Sequence, residues 1–228
     1  MNAGAKKVLI SAPAKDETTP TVVFGVNHEI LKASDNIVSA GSCTTNSMAA
    51  MVKLLQDNWG IKSGFMTTIH AYTGTQMILD GPRGSKPRNN RSAACNTIEH
   101  STGAAKAIGK VVPEVNGKLQ GHAQRIQVPD GSVTELTTVL EKPATTEEIN
   151  DAFKKAFENC EYFGYNADSI VSSDIIGDTH GGVFDPTQTD VNTVDGVTLA
   201  RTVTFYDNEY GFTSNMIRTL LYFAEISE

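Results

Sequence analysis

The sequence has few cysteines among its 228 residues, and it has no Gly-x-Gly pair. The three cysteines are Cys43, Cys95 and Cys160, and their positions lack the spacing of metal ligands. Because they are also odd in number, a disulfide framework is not expected, and their use fits a reducing compartment. The missing Gly-x-Gly excludes the pyrophosphate-binding fingerprint of a dinucleotide site from this stretch of sequence.

Long apolar segments and an excess of positive charge are absent as well. No apolar run is long enough to cross a bilayer and no signal peptide is recognised, so we expect a cytoplasmic protein without a membrane partner. The formal net charge of −7 argues against nucleic acid as the main partner, although it leaves room for a local basic pocket. Hydrophobic residues make up 39% and charged residues 20%, which indicates a globular chain.

Short apolar runs predict buried parallel strands at residues 6–11, 21–25 and 36–39. Farther along, strands are predicted at residues 65–70, 124–128, 133–141 and 197–206. Helices are predicted at residues 102–111, after a capping box at residues 145–148, and at residues 210–226. Residues 81–90 are rich in Gly, Pro and basic side chains, which indicates an irregular loop.

A cysteine stands where an amphipathic helix is predicted to begin. Cys43 follows the apolar pair Ile37–Val38, and apolar residues recur at helical spacing from Met48 to Leu55. The free N–H groups and positive dipole end of a helix amino terminus favour a thiolate, so Cys43 is a candidate nucleophile. The alternative is a small buried residue, since free cysteine is among the most buried residue types.

A histidine lies near the end of the predicted strand at residues 65–70. Catalytic groups are often presented at such strand ends, and His70 could serve as the base for a cysteine nucleophile. The spacing does not establish that Cys43 and His70 meet, and a lone histidine at such a position is more often a hydrogen-bonded structural residue than a base.

Five motifs in order along the chain carry a resemblance to a known family. They are Ser-Cys-Thr-Thr-Asn at 42–46, Thr-Thr-Ile-His-Ala-Tyr-Thr-Gly-Thr-Gln at 67–76, Ser-Thr-Gly-Ala-Ala-Lys at 101–106, Gly-His-Ala-Gln-Arg at 121–125 and Tyr-Asp-Asn-Glu-Tyr-Gly at 206–211. The sequence resembles the phosphorylating glyceraldehyde-3-phosphate dehydrogenases over nearly its whole length.

The resemblance implies an α/β fold class. Its catalytic domain would be α+β with a mixed, largely antiparallel sheet, and the last strands of a Rossmann-type parallel sheet would precede it. The implied division is residues 1–42 for the remnant of the NAD-binding domain, 43–207 for the catalytic domain and 208–228 for a final helix packed back on the nucleotide domain. We therefore expect a chain that lacks the beginning of its NAD-binding domain and is inactive or weakly active alone.

The resemblance also implies a reaction of glycolysis, in which glyceraldehyde 3-phosphate, NAD and inorganic phosphate give 1,3-bisphosphoglycerate through a thiohemiacetal and a thioester on Cys43. His70 would be the base, and Asn208 would contact the nicotinamide of NAD; NADP is not excluded. The substrate phosphate would be held by Thr73, Thr75 and Arg125, and inorganic phosphate by Ser42, Thr44, Thr102 and Gly103. No metal is implied. A homo-oligomer is implied, which in the family is a tetramer.

Without the resemblance, each of these residues has a plainer interpretation. The threonines could be strand or cap residues, Arg125 a solvated surface charge and Asn208 part of a turn. Two other functions also stay open. One is cofactor-independent thiol chemistry on esters or acyl phosphates, and the other is a non-catalytic oligomerising or adhesin fragment.

Overall fold

The computed structural model describes residues 4–227. A small parallel sheet pairs β1 (Val8–Ile10) with β2 (Ile37–Ser39). The rest of the described chain forms an eight-stranded mixed sheet together with the helices that pack on it.

The large sheet is built from two parallel and several antiparallel pairings. Its strands are β3 (Ile61–Ala71), β4 (Ile98–Ser101), β5 (Leu119–Ile126), β6 (Ser132–Leu140), β7 (Gly164–Tyr165), β8 (Val183–Phe184), β9 (Asp190–Val194) and β10 (Val197–Tyr206). The order is β4-β5-β3-β6-β10-β8-β7, with β9 paired to β10. The pairs β3–β5 and β7–β8 are parallel, and the other pairs are antiparallel.

Four α-helices accompany the sheet: α1 (Cys43–Trp59), α2 (Ala104–Val111), α3 (Thr146–Phe157) and α4 (Tyr210–Glu225). Helix α1 lies against β3, β6 and β10 and also contacts the other three helices, so it is the centre of the core. The predicted fold class, an α/β chain with a mixed and largely antiparallel sheet, is confirmed.

Both ends of α1 are determined by local chemistry. The Ser42 hydroxyl accepts a hydrogen bond from the backbone N–H of Thr45 at 3.1 Å and caps the amino terminus. Gly60 ends the helix with a backbone φ of 72°, a conformation that residues with a Cβ atom rarely adopt. Cys43 is therefore the first helical residue, as predicted.

The predicted capping box of α3 is present, because Thr145 and Glu148 exchange hydrogen bonds between side chain and backbone. The predicted strand at 197–206 is β10, and the predicted helix at 210–226 is α4 with one residue fewer. The strand predicted at 124–128 instead begins at Leu119 and ends at Ile126, and α2 begins two residues later than predicted.

The strand predicted at residues 21–25 is wrong. Thr21 makes a single bridge to Ser39, and the chain then turns at Gly25 with a φ of 81°. The Asn27 side chain replaces a partner strand, since it accepts from the Val23 N–H at 2.8 Å and donates to the Thr21 carbonyl at 3.0 Å. A hydrophobic run alone could not reveal this side-chain turn.

The amino-terminal residues pack on the final helix. Val22, Leu31 and Val38 form a buried cluster with Phe223 of α4. Another part of α4 is exposed and apolar, with Leu221 64% accessible to solvent. Within residues 4–227, none of the helices combines the length and the apolar character needed to cross a membrane.

The position of α1 in the core predicts how much two leucine substitutions change the free energy of unfolding. Leu55 of α1 is completely buried, whereas Leu221 of α4 is 64% exposed, and both are helical. We expect Leu55→Ala to lower the free energy of unfolding by about 2–5 kcal/mol, because it leaves a cavity beside the sheet. Leu221→Ala removes the same atoms at equal helix propensity and should cost less than about 1 kcal/mol. Urea unfolding measures both, and equal losses would contradict the packing described.

Candidate active site

The loop before Cys43, the candidate nucleophile, is fixed by hydrogen bonds to α1 and, through Asn46, to α4. The Asn46 amide donates to the carbonyls of Ala40 and Ser42, both at 2.9 Å, and so ties the loop before Cys43 to the first turn of α1. The Asn46 side-chain oxygen in turn accepts from Asn215 of α4 at 3.3 Å. These contacts fix the backbone from which the Cys43 side chain projects.

The structure brings Cys43 and His70 together. The Cys43 Sγ lies 3.3 Å from the Nε2 of His70, which is near the end of β3 and only 2% exposed. The His70 and Tyr206 rings form a T-shaped pair with a centroid distance of 5.8 Å, and this contact limits rotation of the imidazole. The geometry is that of a nucleophile next to a base.

Arg125 lies directly beside His70 rather than at the solvated surface. The register of β3 and β5 pairs the two residues. One guanidinium nitrogen, Nη1, is 2.6 Å from the His70 Nδ1 and 3.0 Å from the Ala71 carbonyl oxygen. The Arg125 Nε is buried and has no hydrogen-bond partner among residues 4–227. The site therefore contains a partly unsatisfied cation.

A cavity of about 220 Å³ opens over these groups. It is lined by Pro13, Ser42, Cys43, Thr44, Thr68, His70, Thr75, His100, Ser101, Thr102, Gly103, Ala104, Ala123 and Arg125. One cation, several hydroxyls and the amino terminus of α2 meet in this cavity, and such groups suit an anionic ligand.

Most of the predicted phosphate ligands lie on this cavity, but their hydroxyls differ in availability. The Thr73 and Thr75 hydroxyls are 3.2 Å apart, and Thr75 lines the cavity. The Ser42 hydroxyl caps α1, and the Thr102 hydroxyl accepts from the Ala104 N–H at 3.2 Å. Gly103 is the residue before α2.

Thr44 is less available than its motif implies. Its hydroxyl is 2.9 Å from the Tyr206 hydroxyl, and the residue is only 4% exposed. Tyr206 also contacts the Thr68 hydroxyl at 2.8 Å, so it joins the start of α1 to β3. A ligand in the cavity would meet the backbone N–H of Thr44 more readily than its side chain.

Burial of the Cys43 sulfur opposes the stabilisation of a thiolate that is expected from the helix terminus. Withdrawal of the sulfur from water raises the pKa of the Cys43 thiol. The hydrogen bonds from Thr44 and the charge of Arg125 act in the opposite direction without overcoming it. The dipole is a modest effect, and burial of a charge is a larger one.

The His70 imidazole is neutral near pH 7. Burial first, and then the positive charge of Arg125, lower the pKa of His70 from 6.5 to about 4. Burial therefore contributes most to keeping the imidazole neutral, and the charge of Arg125 adds to it.

Asn208, the predicted cofactor residue, is buried before α4. Its Oδ1 accepts from the Ser132 hydroxyl at 2.6 Å, and the same hydroxyl accepts from the Ala71 N–H at 3.0 Å. Its Nδ2 makes only a long contact of 3.5 Å to Glu209. Ser132 thus orients the Asn208 amide and leaves its Nδ2 group with donor capacity.

Sequence reasoning missed three residues of this site: Ser132, Tyr206 and His100. Ser132 and Tyr206 act through contacts between distant segments, and although Tyr206 opens the motif at 206–211, the sequence does not show which residues it contacts. His100 lines the cavity from β4, and its Nδ1 is 2.7 Å from the Ser101 carbonyl. Its position next to the Ser101–Lys106 motif was the one available hint. No group of metal-ligating side chains occurs in the part of the chain that the structure describes.

The lowered pKa of His70 predicts a loss of stability in acid. The unfolded chain binds a proton at His70 below pH 6.5, whereas the folded state resists it down to about pH 4. The contribution of His70 to the free energy of unfolding is therefore complete above pH 6.5. It is lost as the pH falls from 6.5 toward 4, and the total loss is about 3 kcal/mol. Denaturant unfolding of wild type and His70→Gln across this range should give curves that converge in acid. A constant difference between them would contradict the burial described.

The comparisons with known proteins agree with the resemblance. The family described as "Glyceraldehyde 3-phosphate dehydrogenase, C-terminal domain" matches residues 42–208. Proteins named glyceraldehyde-3-phosphate dehydrogenase are 60% identical in Lactobacillus delbrueckii subsp. bulgaricus, 56% in Lactococcus lactis subsp. lactis and 54% in Streptococcus pyogenes. Each alignment covers 99% of this chain and 66% of the relative. The chain spans just under two thirds of these relatives, and it belongs to the glyceraldehyde-3-phosphate dehydrogenase family.

Proposed function

We propose that this chain carries the cysteine nucleophile, its histidine base and the phosphate sites of an NAD-dependent, phosphorylating glyceraldehyde-3-phosphate dehydrogenase. The observation that carries the proposal is the 3.3 Å contact between Cys43 Sγ and His70 Nε2 in a cavity shared with Arg125. The names of the relatives support the substrate. The chemistry of the cavity supports it independently, because an aldehyde with a phosphate group needs a nucleophile and an anion site together.

In the first step the Cys43 sulfur adds to the aldehyde carbon while the thiol proton passes to His70. The negative oxygen that forms can accept hydrogen bonds from the free N–H groups at the start of α1. The proton then returns to this oxygen and gives a thiohemiacetal. Since the ligand-free thiol resists ionisation, the basicity of His70 controls this step.

The nicotinamide end of NAD fits the residues present. The Asn208 Nδ2 has donor capacity for the carboxamide, and Ser132 holds the amide in this orientation. Held there, NAD would supply the hydride acceptor for oxidation of the thiohemiacetal. His70 takes the hydroxyl proton at the same stage, and a thioester of Cys43 remains. An oxygen of inorganic phosphate then attacks the thioester carbon, and Cys43 leaves as a thiolate that His70 reprotonates.

Two anion sites are needed, and we assign the substrate phosphate to Thr73, Thr75 and Arg125. Inorganic phosphate is assigned to Ser42, Thr44, Thr102 and Gly103, at the amino termini of α1 and α2. The positive ends of these two helices support the second assignment. Thr44 would take part through its backbone N–H, because its hydroxyl is paired with Tyr206.

We propose three segments: residues 1–42 with the nucleotide-binding domain, 43–207 as the catalytic domain and 208–228 as a connecting helix. Contact of Val22 and Val38 with Phe223 of α4 supports the grouping of the first and last segments. These 228 residues contain no Gly-x-Gly. We therefore propose that this polypeptide alone binds NAD weakly and forms little NADH.

We further propose a homo-oligomer. Apolar side chains on the outer face of the large sheet support it, since Phe65 of β3 is 66% exposed and Leu199 of β10 is 40% exposed. Exposed apolar residues on a broad sheet face are typical of interfaces.

The thiol side can be tested without the cofactor, using acetyl phosphate as an acyl donor. We expect the purified chain to gain one acetyl group on Cys43 by mass spectrometry and to lose it when inorganic phosphate is added. Cys43→Ser should abolish the labelling, and His70→Asn should slow it by about 10²–10⁴-fold. Cys95→Ser is the matched control, because Cys95 is an exposed cysteine outside the cavity.

Absence of acetylation on Cys43 in the folded chain would sink the proposal. Continuous release of acetate, with no transfer to phosphate, would instead support cofactor-independent hydrolysis. A parallel assay with glyceraldehyde 3-phosphate, inorganic phosphate and NAD, together with calorimetry of NAD binding, tests the weak affinity for the cofactor.

A further inference from the structure

Arg218, Asn215 and Asn46 form a chain of hydrogen bonds that ends at the loop before Cys43. The Arg218 Nη1 donates to the Asn215 Oδ1 at 3.0 Å, and the Asn215 Nδ2 donates to the Asn46 Oδ1 at 3.3 Å. The Asn46 Nδ2 then donates to two carbonyl oxygens of the loop, both at 2.9 Å. Both asparagines are at most 2% exposed, and a buried amide is costly unless it is hydrogen-bonded. No step of the proposed reaction uses Asn215 or Arg218.

Each end of this chain determines the orientation of the amide next to it. The carbonyl oxygens of Ala40 and Ser42 can only accept, so the part of the Asn46 amide that faces them must be its NH2 group. The guanidinium of Arg218 can only donate, so the Asn215 atom that faces it must be the side-chain oxygen. The two requirements agree, because they leave the oxygen of Asn46 opposite the NH2 group of Asn215. The hydrogen bonds therefore have one consistent direction, from Arg218 to the loop.

The Arg218 end of the chain is held by backbone atoms. Its Nη1 donates to the carbonyl of Thr179 at 2.9 Å, and its Nη2 donates to the carbonyl of Glu161 at 2.8 Å. Gly181 packs so closely on the Asn215 amide that a Cβ at this glycine would lie 2.3 Å from Nδ2. Asn215 therefore has little room to turn its amide or to move away from Asn46.

This buried pair of amides lies where the three proposed segments meet. Ala40 belongs to residues 1–42, Asn46 to the first turn of α1 and Asn215 to α4. Asn208, the proposed nicotinamide residue, comes just before α4. The pair therefore joins the helix that carries the nucleophile to the helix that follows the cofactor residue.

We propose that Asn215 is a positioning residue that acts through Asn46 on the loop that presents Cys43. With its own amide oriented by Arg218, Asn215 keeps the NH2 group of Asn46 on the loop carbonyls, and this keeps the sulfur in the place that acyl transfer requires. The inference rests on the proposed function, since it takes Cys43 as the nucleophile. Its consequence is that a residue of α4 outside the cavity influences the rate at Cys43.

Asn215→Asp tests the proposal, because it reverses one hydrogen bond of the chain with almost no change of shape. The carboxylate still accepts from Arg218, but it offers only an acceptor to Asn46. The Asn46 amide then turns its NH2 group toward the carboxylate and releases the loop carbonyls. We expect the maximal rate of Cys43 acetylation by acetyl phosphate to fall by about 10–10²-fold, with a half-saturating concentration within about twofold of wild type.

Two comparisons separate this effect from charge and from lost stability. Rates are measured between about pH 6 and pH 9, because the added charge alone would shift the profile along the pH axis, whereas a displaced sulfur lowers its maximum. Asn215→Leu removes the donor to Asn46 without offering a competing acceptor, so Asn46 can keep its bonds to the loop. We expect a smaller loss of rate in this variant. Urea unfolding identifies conditions in which every variant is folded.

Asn150→Asp is the matched control. Asn150 of α3 also donates its amide to a backbone carbonyl, that of Pro186 at 3.1 Å, and it lies outside the cavity, so its variant should keep the wild-type rate. A wild-type maximum in Asn215→Asp, or an equal loss in Asn215→Leu, would overturn the proposal. If Asn215→Asp fails to fold, Arg218→Leu should still slow acetylation, and an unchanged rate would overturn the proposal.

Failure of the proposed function would be seen separately, as absence of Cys43 acetylation in the wild type. Alkylation of Cys43 by iodoacetamide needs no acyl donor, so it then gives the same comparison of variants. Slower alkylation in Asn215→Asp than in Asn215→Leu would support the positioning role, and equal rates would overturn it.

Discussion

The contact between the Cys43 sulfur and the His70 imidazole is the interaction around which the other residues of the site are arranged. It joins two elements that are distant in sequence. Cys43 is presented by the first turn of α1 and His70 by the end of β3. Tyr206 joins the two elements, because its hydroxyl contacts both Thr44 and Thr68. A fully buried aromatic residue of β10 thus maintains the spacing between the Cys43 sulfur and the His70 imidazole.

Burial gives this pair its chemical character. It raises the pKa of Cys43 and lowers that of His70, so both groups are neutral in the ligand-free site. The adjacent charge of Arg125 adds to the effect on His70. The charge that would bind a phosphate group therefore lies directly beside the His70 imidazole.

Local features of the fold could be predicted from the sequence. The start of α1 at Cys43 and the capping box at Thr145 depend on neighbouring residues, and both lie at their predicted places. The turn at Gly25 was missed, since the Asn27 side chain replaces a strand partner there. The short strands β4, β7, β8 and β9 were missed as well, because such strands are defined by their pairing and not by a pattern of their own.

The candidate site was predictable only in part. The motif resemblance pointed to Cys43, His70 and Arg125, and the structure places all three on one cavity. It could not reveal that Arg125 faces His70, since this contact depends on the pairing of β3 with β5. Ser132 could not be predicted from the sequence either, because its hydrogen-bond partners Asn208 and Ala71 are distant in sequence.

The most direct test of the central claim is the titration of Cys43 itself. Thiolate absorbance can be followed against pH in a chain carrying Cys95→Ser and Cys160→Ser, so that Cys43 is the one thiol observed. If the contact with His70 governs the sulfur, His70→Asn should raise the pKa of Cys43 by about one unit or more, because the nearest ring nitrogen is removed. The same titration curve with and without His70 would show that the two side chains are neighbours without being coupled, which would contradict the role assigned to this contact.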